Sequence, residues 1–105
     1  MPRVGITVLK RAFHRDVLEA QIADEACRAS FGPCSIFEDG QIFISEDWPT
    51  KPDGFCERAW PDIRHEVDMV MHRAQAPWIE SEGSTITCCN DGIRPVIFRI
   101  ERLDD

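Results

Sequence analysis

The C-terminal sequence "STITCCNDGIRPVIFRIERL", residues 84–103, constrains the fold most strongly because it carries the pattern of a β-hairpin. Two runs rich in β-branched and aromatic residues flank Asn-Asp-Gly. A three-residue loop of residues 90–92, with Gly92 in the left-handed conformation, is a common connection between two such strands. We therefore expect a hairpin with its loop at residues 90–92.

The hairpin pattern also predicts which of two adjacent cysteines faces the core. A loop of residues 90–92 pairs Cys88 with Arg94 and Ile86 with Val96, which places the apolar residues on one face. Because neighbouring strand residues point to opposite faces, this register predicts that Cys88 faces the main helix. Cys89 is then expected to face away from the core.

The remaining elements follow from periodicity. Residues 4–13 predict a strand with Lys10 on the same face as the apolar positions 6 and 8, and residues 41–45 predict a second strand. Residues 15–28 predict a short amphipathic helix. A longer apolar helical stripe predicts the main helix, which begins near Cys56 or at Pro61, since proline is tolerated only in the first turn.

This order of elements indicates one α+β domain spanning residues 1–105, with a mostly antiparallel sheet or partial barrel. The formal net charge of −7 argues against nucleic acid as a partner. The apolar runs are shorter than the roughly 20 residues that cross a bilayer, which argues against a membrane protein. We expect a cytoplasmic protein, with a homo-oligomer left open.

Four stretches of the chain carry a resemblance to a known family, and their motifs are specific in combination. They are "ITVLKR" at 6–11, "GPCSIFEDGQIFI" at 32–44, "GFCERAWPDI" at 54–63 and "CCNDGIRPVIFRIER" at 88–102. Through them the whole chain resembles a family of small uncharacterised microbial proteins.

The resemblance implies a shared fold and draws attention to a set of ligand-binding candidates, but it implies no activity. The candidates are Cys34, Cys56, Cys88, Cys89, Trp60 and Arg94. Cys27 and His14 lie outside the matching stretches. We expect the candidates to form a cysteine-centred pocket where the loop at residues 32–34, the start of the main helix and the hairpin meet.

Thiol chemistry gives these cysteines two possible functions. In a reducing cytosol, Cys34, Cys56, Cys88 and Cys89 could bind a soft ion such as zinc or copper, although the chain lacks the close Cys-x-x-Cys pairs that usually announce such sites. Alternatively, Cys56 or Cys88 could be a redox or nucleophilic thiol, because a helix N-terminus and an arginine favour the thiolate.

A structural function is the third possibility, since free cysteine often packs as a small apolar residue. Trp60 is likewise expected to contribute to the core, because it lies on the apolar face of the main helix. The leading expectation is a small cytosolic protein that binds a soft metal ion or a small molecule. A thiol enzyme and a non-catalytic interaction module with structural cysteines are the alternatives.

Overall fold

The computed structural model describes residues 2–74, 77–79 and 82–103, which form an α+β fold with one four-stranded antiparallel sheet. The elements in chain order are β1 (Arg3–Arg11), α1 (Arg15–Gln21), α2 (Glu25–Ser30), β2 (Ile42–Glu46), α3 (Ala59–Met71), β3 (Ser84–Cys88) and β4 (Val96–Arg102). The strand order is β2-β1-β4-β3, and every neighbouring pair is antiparallel. The α+β prediction is confirmed, and the sheet is open, with β2 and β3 at its edges.

Strand β1 contains a bulge that changes the direction of its last residues. Val8 lies opposite Phe98 and Lys10 lies opposite Ile97, so Leu9 is an extra residue on β1. Lys10 therefore points to the face opposite Val8, and the prediction that both share one face is wrong. The bulge also places Arg11 opposite Val96, on the face that α3 covers.

The helix predicted over residues 15–28 is divided into α1 and α2. The side chain of Asp24 accepts hydrogen bonds from the backbone N–H groups of Ala26, at 2.9 Å, and Cys27, at 3.4 Å. This is an N-cap, which begins a new helix instead of continuing the previous one. Ile22 has an extended backbone at the end of α1, so the chain changes direction between the two helices.

The main helix α3 begins between the two predicted starts, and Pro61 falls in its first turn. The N–H of Trp60 donates to the carbonyl oxygen of Cys56 at 3.1 Å, so Cys56 lies in the turn that leads into the helix. The apolar side of α3 is buried against the sheet through Ala59, Ile63, Val67, Val70 and Met71. Within the part of the chain that the structure describes, every helix is too short or too polar to cross a bilayer.

Four phenylalanines pack together at the centre of the core. The ring centroid of Phe37 lies 5.8 Å from the ring centroid of Phe43, 5.0 Å from that of Phe55 and 5.2 Å from that of Phe98. Two of these rings come from strands and two from the connecting segments on either side of β2. The cluster therefore fixes two irregular segments, residues 34–37 and 54–56, onto the sheet.

The opposite face of the sheet carries exposed aliphatic side chains. Ile42 is 63% exposed and Ile86 is 47% exposed, and they lie in one row across the sheet with Thr7 and Arg99 between them. Arg99 forms an ion pair of 3.2 Å with Glu101 on the same face. This face is thus more apolar than the polar outer face usual for an antiparallel sheet.

The hairpin forms, but its predicted register is wrong. Cys88 lies opposite Ile97 rather than Arg94, and Ile86 lies opposite Arg99 rather than Val96. The shift is three residues, an odd number, so every side chain of β3 points to the face opposite the predicted one.

The cause of the shift is the composition of the loop. Asp91 accepts hydrogen bonds from the N–H groups of Ile93 and Arg94, and Pro95 has no N–H. Three successive residues therefore have no N–H group available to pair with β3. The strand consequently starts at Val96, and the loop comprises residues 90–95 instead of 90–92. Gly92 does not take the left-handed conformation that the shorter loop would require.

Candidate functional site

A cavity of about 130 Å³ lies where three segments of the chain meet at one end of the core. Its walls come from residues 34–37, from residues 56–62 around the start of α3, and from residues 89–96 of the hairpin. A cavity of about 150 Å³ is large enough to hold benzene, so this one suits a ligand of similar size. The sequence predicts a pocket where residues 32–34, the start of the main helix and the hairpin meet, and the first wall segment of this cavity is residues 34–37.

Cys34 is held at the cavity by contacts of its own carbonyl group and of residues that follow it in the chain. Phe37 is buried in the aromatic cluster and anchors the segment to the core. The guanidinium of Arg11 donates to the carbonyl oxygen of Cys34 at 3.0 Å and to the carboxylate of Asp39 at 3.2 Å. These contacts fix the backbone of Cys34, while its side chain packs partly against the core and faces the cavity.

Cys56 is positioned by the turn before α3. Gly54 has a φ of +80°, which favours glycine because it has no Cβ. The turn directs Phe55 into the core, where its ring lies 5.0 Å from that of Phe37. Cys56 follows directly and lies on the cavity wall, just before the first turn of α3.

Cys89 continues the pairing of β3 with β4 on the side that faces the core. Its N–H donates to the carbonyl oxygen of Val96 at 3.1 Å, and the N–H of Val96 donates to Sγ of Cys89 at 3.3 Å. At this end of the β3–β4 pairing, the Cys89 sulfur therefore accepts the Val96 N–H, where a backbone carbonyl oxygen would ordinarily accept it. This hydrogen bond orients the thiol at the cavity wall.

Asp91 and Arg94 form an ion pair that backbone hydrogen bonds support. Oδ1 of Asp91 accepts the N–H of Ile93 at 3.0 Å and the N–H of Arg94 at 2.9 Å, while Oδ2 accepts Nε of Arg94 at 3.0 Å. The Arg94 guanidinium also lies 5.0 Å from the ring centroid of Phe31. The arginine is thus held in one orientation at the cavity.

The ionisation of Asp91 reflects the same contacts. Burial acts to raise the pKa of Asp91, but the N–H groups of Arg94 and Ile93 and the Arg94 guanidinium together outweigh it. The pKa of Asp91 therefore lies below its usual value, and the carboxylate is ionised at neutral pH.

Two residues at the start of α3 complete the polar part of the wall. Oδ2 of Asp62 accepts the N–H of Asn90 at 3.0 Å, which connects α3 to the hairpin loop. Arg58 precedes the first helical residue and lines the same cavity. In the described ranges 2–74, 77–79 and 82–103, the side chain of Arg58 has no hydrogen bond or ion pair.

The structure brings four of the sequence candidates together and places the other two elsewhere. Cys34, Cys56, Cys89 and Arg94 line the cavity. Cys88 is exposed on the outer face of the sheet, opposite Ile97, so the prediction that it faces the core beside Arg94 is wrong.

Trp60, the sixth candidate, is half-buried and packs against the core. Its ring meets that of Phe55 in a T-shaped contact at 5.9 Å, in agreement with its position on the apolar side of α3.

Sequence reasoning missed the charged residues of the wall, Arg58, Asp62 and Asp91. Asp91 shapes the loop through its Oδ1 and pairs with Arg94 through its Oδ2. The spacing of three residues between an aspartate and an arginine within one loop is the signal that could have revealed this pair. Arg58 follows Cys56 by two residues, and no pattern in the sequence marks it.

The arrangement does not form the metal centre considered from the sequence. Across the residues that the structure describes, no three side chains of histidine, cysteine, aspartate or glutamate lie in a group that could hold a metal ion. The sheet separates Cys88 from Cys34, Cys56 and Cys89, since Cys88 and Cys89 point to opposite faces. All five cysteines are free thiols.

A second hollow, of about 230 Å³, lies between α1 and α2 and is more open to solvent. Its wall includes Arg15, Leu18, Glu19 and Arg28, and none of the five cysteines lines it. The thiol-lined cavity is therefore a distinct feature of the hairpin end of the domain.

Comparison with known proteins adds no function to this geometry, because no protein-family model, curated protein or solved structure matches the chain. The resemblance to a family of small microbial proteins stays a prediction from the quoted motifs.

Proposed function

We propose that the protein binds a small molecule in the thiol-lined cavity. The observation that supports this most directly is that Cys34, Cys56 and Cys89, each more than 20 residues from the next, line one cavity of about 130 Å³. Structural cysteines that serve only as packing residues need not converge in this way. Each of the three is positioned by its own anchoring contacts, which is typical of a preformed binding site.

Of the two ligands considered from the sequence, the small molecule is better supported than the soft metal ion. A zinc site needs three or four protein ligands around one ion, and the described residues offer no such group. The cavity combines an apolar wall from Phe37, Ala59 and Val96 with a few oriented polar groups. This combination is the usual composition of small-molecule sites.

The proposal is tested by recording amide NMR spectra of the protein with a set of neutral and charged fragments of about six to eight non-hydrogen atoms, a size that matches the cavity. Fragments that bind should shift the amide signals of Ala59, Asn90 and Val96. Binding that shifts only signals from α1 and α2 would place the ligand in the second hollow and contradict the proposal.

A matched pair of variants sharpens this test. Cys56→Met adds a longer side chain at the cavity wall and should abolish the shifts, whereas Cys88→Met adds the same atoms on the outer face and should leave them unchanged. Equal binding by both variants would contradict the proposed location.

A thiol reaction is the second candidate function, and the hydrogen bond from Val96 to Sγ of Cys89 favours it. Nucleophilic attack by Cys56 or Cys89 on a ligand in the cavity would suit a reducing cytoplasm, where these thiols remain free. Cys88, one of the two nucleophiles considered from the sequence, lies outside the cavity. Incubation with a hydroperoxide followed by mass spectrometry distinguishes the candidates, since a reactive thiol is oxidised before Cys88 and a passive one is not.

A further inference from the structure

We propose that the ligand of this cavity carries a carboxylate or a similar small oxyanion, which is bound by the two Nη groups of Arg94 and by the guanidinium of Arg58. This inference rests on the proposed function and names the chemical class of the ligand. It follows from the hydrogen-bonding state of the two guanidinium groups and from the charges around them.

Arg94 is held rigidly yet retains free donors. Its Nε is bonded to Asp91 at 3.0 Å, and its guanidinium plane is held near the ring of Phe31. Its two Nη groups, by contrast, have no hydrogen-bond partner among residues 2–74, 77–79 and 82–103. An oriented guanidinium with two free terminal nitrogens matches the two oxygens of a carboxylate.

The wall carries two arginines and two aspartates, and only Arg94 is paired directly with a carboxylate. Asp91 forms an ion pair with Arg94, and that pair has no net charge. Asp62 accepts the N–H of Asn90 and lies in the first turn of α3, where the helix dipole favours a negative charge. The side chain of Arg58 has no hydrogen bond or ion pair in the described residues, so its guanidinium is available to an anionic ligand.

The size of the cavity restricts the rest of the ligand. A carboxylate occupies three non-hydrogen atoms, so a volume of about 130 Å³ leaves room for only a few more atoms beside the three thiols. The ligand class is therefore a short carboxylic acid or comparable oxyanion, whose body lies against Cys34, Cys56 and Cys89.

The test compares two reagents that differ only in this group. Iodoacetate and iodoacetamide are similar in size, and with both a cysteine thiolate attacks the CH₂ carbon, forms a C–S bond and releases iodide. Only iodoacetate carries a carboxylate. Labelling at each cysteine is followed by mass spectrometry, and Cys88, exposed on the outer face, is the internal reference for the intrinsic reactivity of the reagents.

We expect the ratio of the iodoacetate rate to the iodoacetamide rate to be roughly three- to tenfold higher at Cys56 and Cys89 than at Cys88, as one hydrogen bond of ordinary net strength would produce. Arg94→Lys keeps the positive charge but removes the two Nη donors, and Arg58→Gln removes the positive charge of Arg58. Each variant should lower the ratio at the cavity cysteines and leave the ratio at Cys88 unchanged. Arg58→Gln breaks no side-chain hydrogen bond or ion pair within the described residues, so it reports on the ligand even if Arg94→Lys disturbs the loop.

The other outcomes are distinct. A ratio at the cavity cysteines equal to that at Cys88, with both reagents reaching the cavity, would overturn the carboxylate inference and leave the small-molecule proposal intact. A cavity whose cysteines react with neither reagent in the folded protein would overturn both.

Discussion

Cys89 lies directly opposite Val96, and the two residues exchange a pair of hydrogen bonds in which the cysteine sulfur accepts the Val96 N–H at 3.3 Å. This pairing places Cys89 on the face of the sheet that α3 covers and leaves Cys88 on the other face. The two adjacent thiols are therefore in different environments. One is part of the cavity wall, and the other is exposed.

The first prediction concerns the stability of the two alanine variants. Cys89→Ala removes a partly buried sulfur and leaves the Val96 N–H without its acceptor, so it should lower the free energy of unfolding by roughly 1 to 2 kcal/mol. Cys88→Ala removes an exposed side chain and should change it by less than about 0.5 kcal/mol. Urea unfolding of both variants measures the difference, and the reverse order would show that the hairpin has the shorter, three-residue loop.

The second prediction concerns acid stability and Asp91. Because the pKa of Asp91 in the folded protein lies below its usual value of 3.8, the unfolded chain takes up this proton at a higher pH than the folded one. The stabilisation by ionised Asp91 is complete well above pH 3.8 and is lost as the pH falls through the folded pKa. Asp91→Asn should therefore be less stable than the wild type at pH 7, and the difference should shrink at pH 3.

Urea midpoints at the two pH values provide the measurement for Asp91. Asp53→Asn, an exposed aspartate in the loop before α3, is the control for the loss of one negative charge. A difference between wild type and Asp91→Asn that stays constant from pH 7 to pH 3 would mean that the Asp91–Arg94 pair does not contribute through its charge.

The third prediction concerns the aromatic anchor of Cys34. Phe37→Ala opens a cavity in the aromatic cluster and should lower the free energy of unfolding by roughly 3 to 5 kcal/mol. It should also release the segment that carries Cys34, so iodoacetamide should label Cys34 faster in the folded variant. Ile36→Ala is the matched control, because Ile36 is 59% exposed, and it should cost less than about 1 kcal/mol.

The fourth prediction separates two glycines by their backbone conformation. Gly54 has a φ of +80° with open space around the position of a Cβ, so Gly54→Ala should cost roughly 1 to 2 kcal/mol from backbone strain alone. Gly92 also has open space, but its φ lies outside the left-handed region. Gly92→Ala should therefore be neutral or stabilising by up to about 1 kcal/mol. Thermal unfolding compares the two, and a large loss of stability in Gly92→Ala would contradict the observed loop.

The sequence alone was sufficient for the elements whose pattern is local. Strand alternation in β4 and in β1 as far as Val8, the apolar stripe of α3 and the position of Pro61 in its first turn each depend on residues that are close in the chain. The bulge after Val8 was missed, because it depends on the pairing of β1 with β4. The location of the candidate site could also be predicted approximately from the sequence. Cys34 and Cys56 each follow a loop segment that contains glycine, and both lie beside the hairpin loop. Only the split between α1 and α2 was missed among the helices, since the cap at Asp24 competes with continuation of the helix.

The tertiary structure decided which cysteine belongs to the site and which charges surround it. The register of the hairpin depends on where Asp91 directs its carboxylate, and an Asp-Gly pair in the sequence is compatible with a three-residue loop as well as with the observed six-residue loop. A shift of three residues exchanges the faces of β3, so Cys89 replaces Cys88 at the cavity. The positions of Arg58 and Asp62 there depend on α3 packing against the hairpin, a long-range contact that spacing along the chain does not reveal.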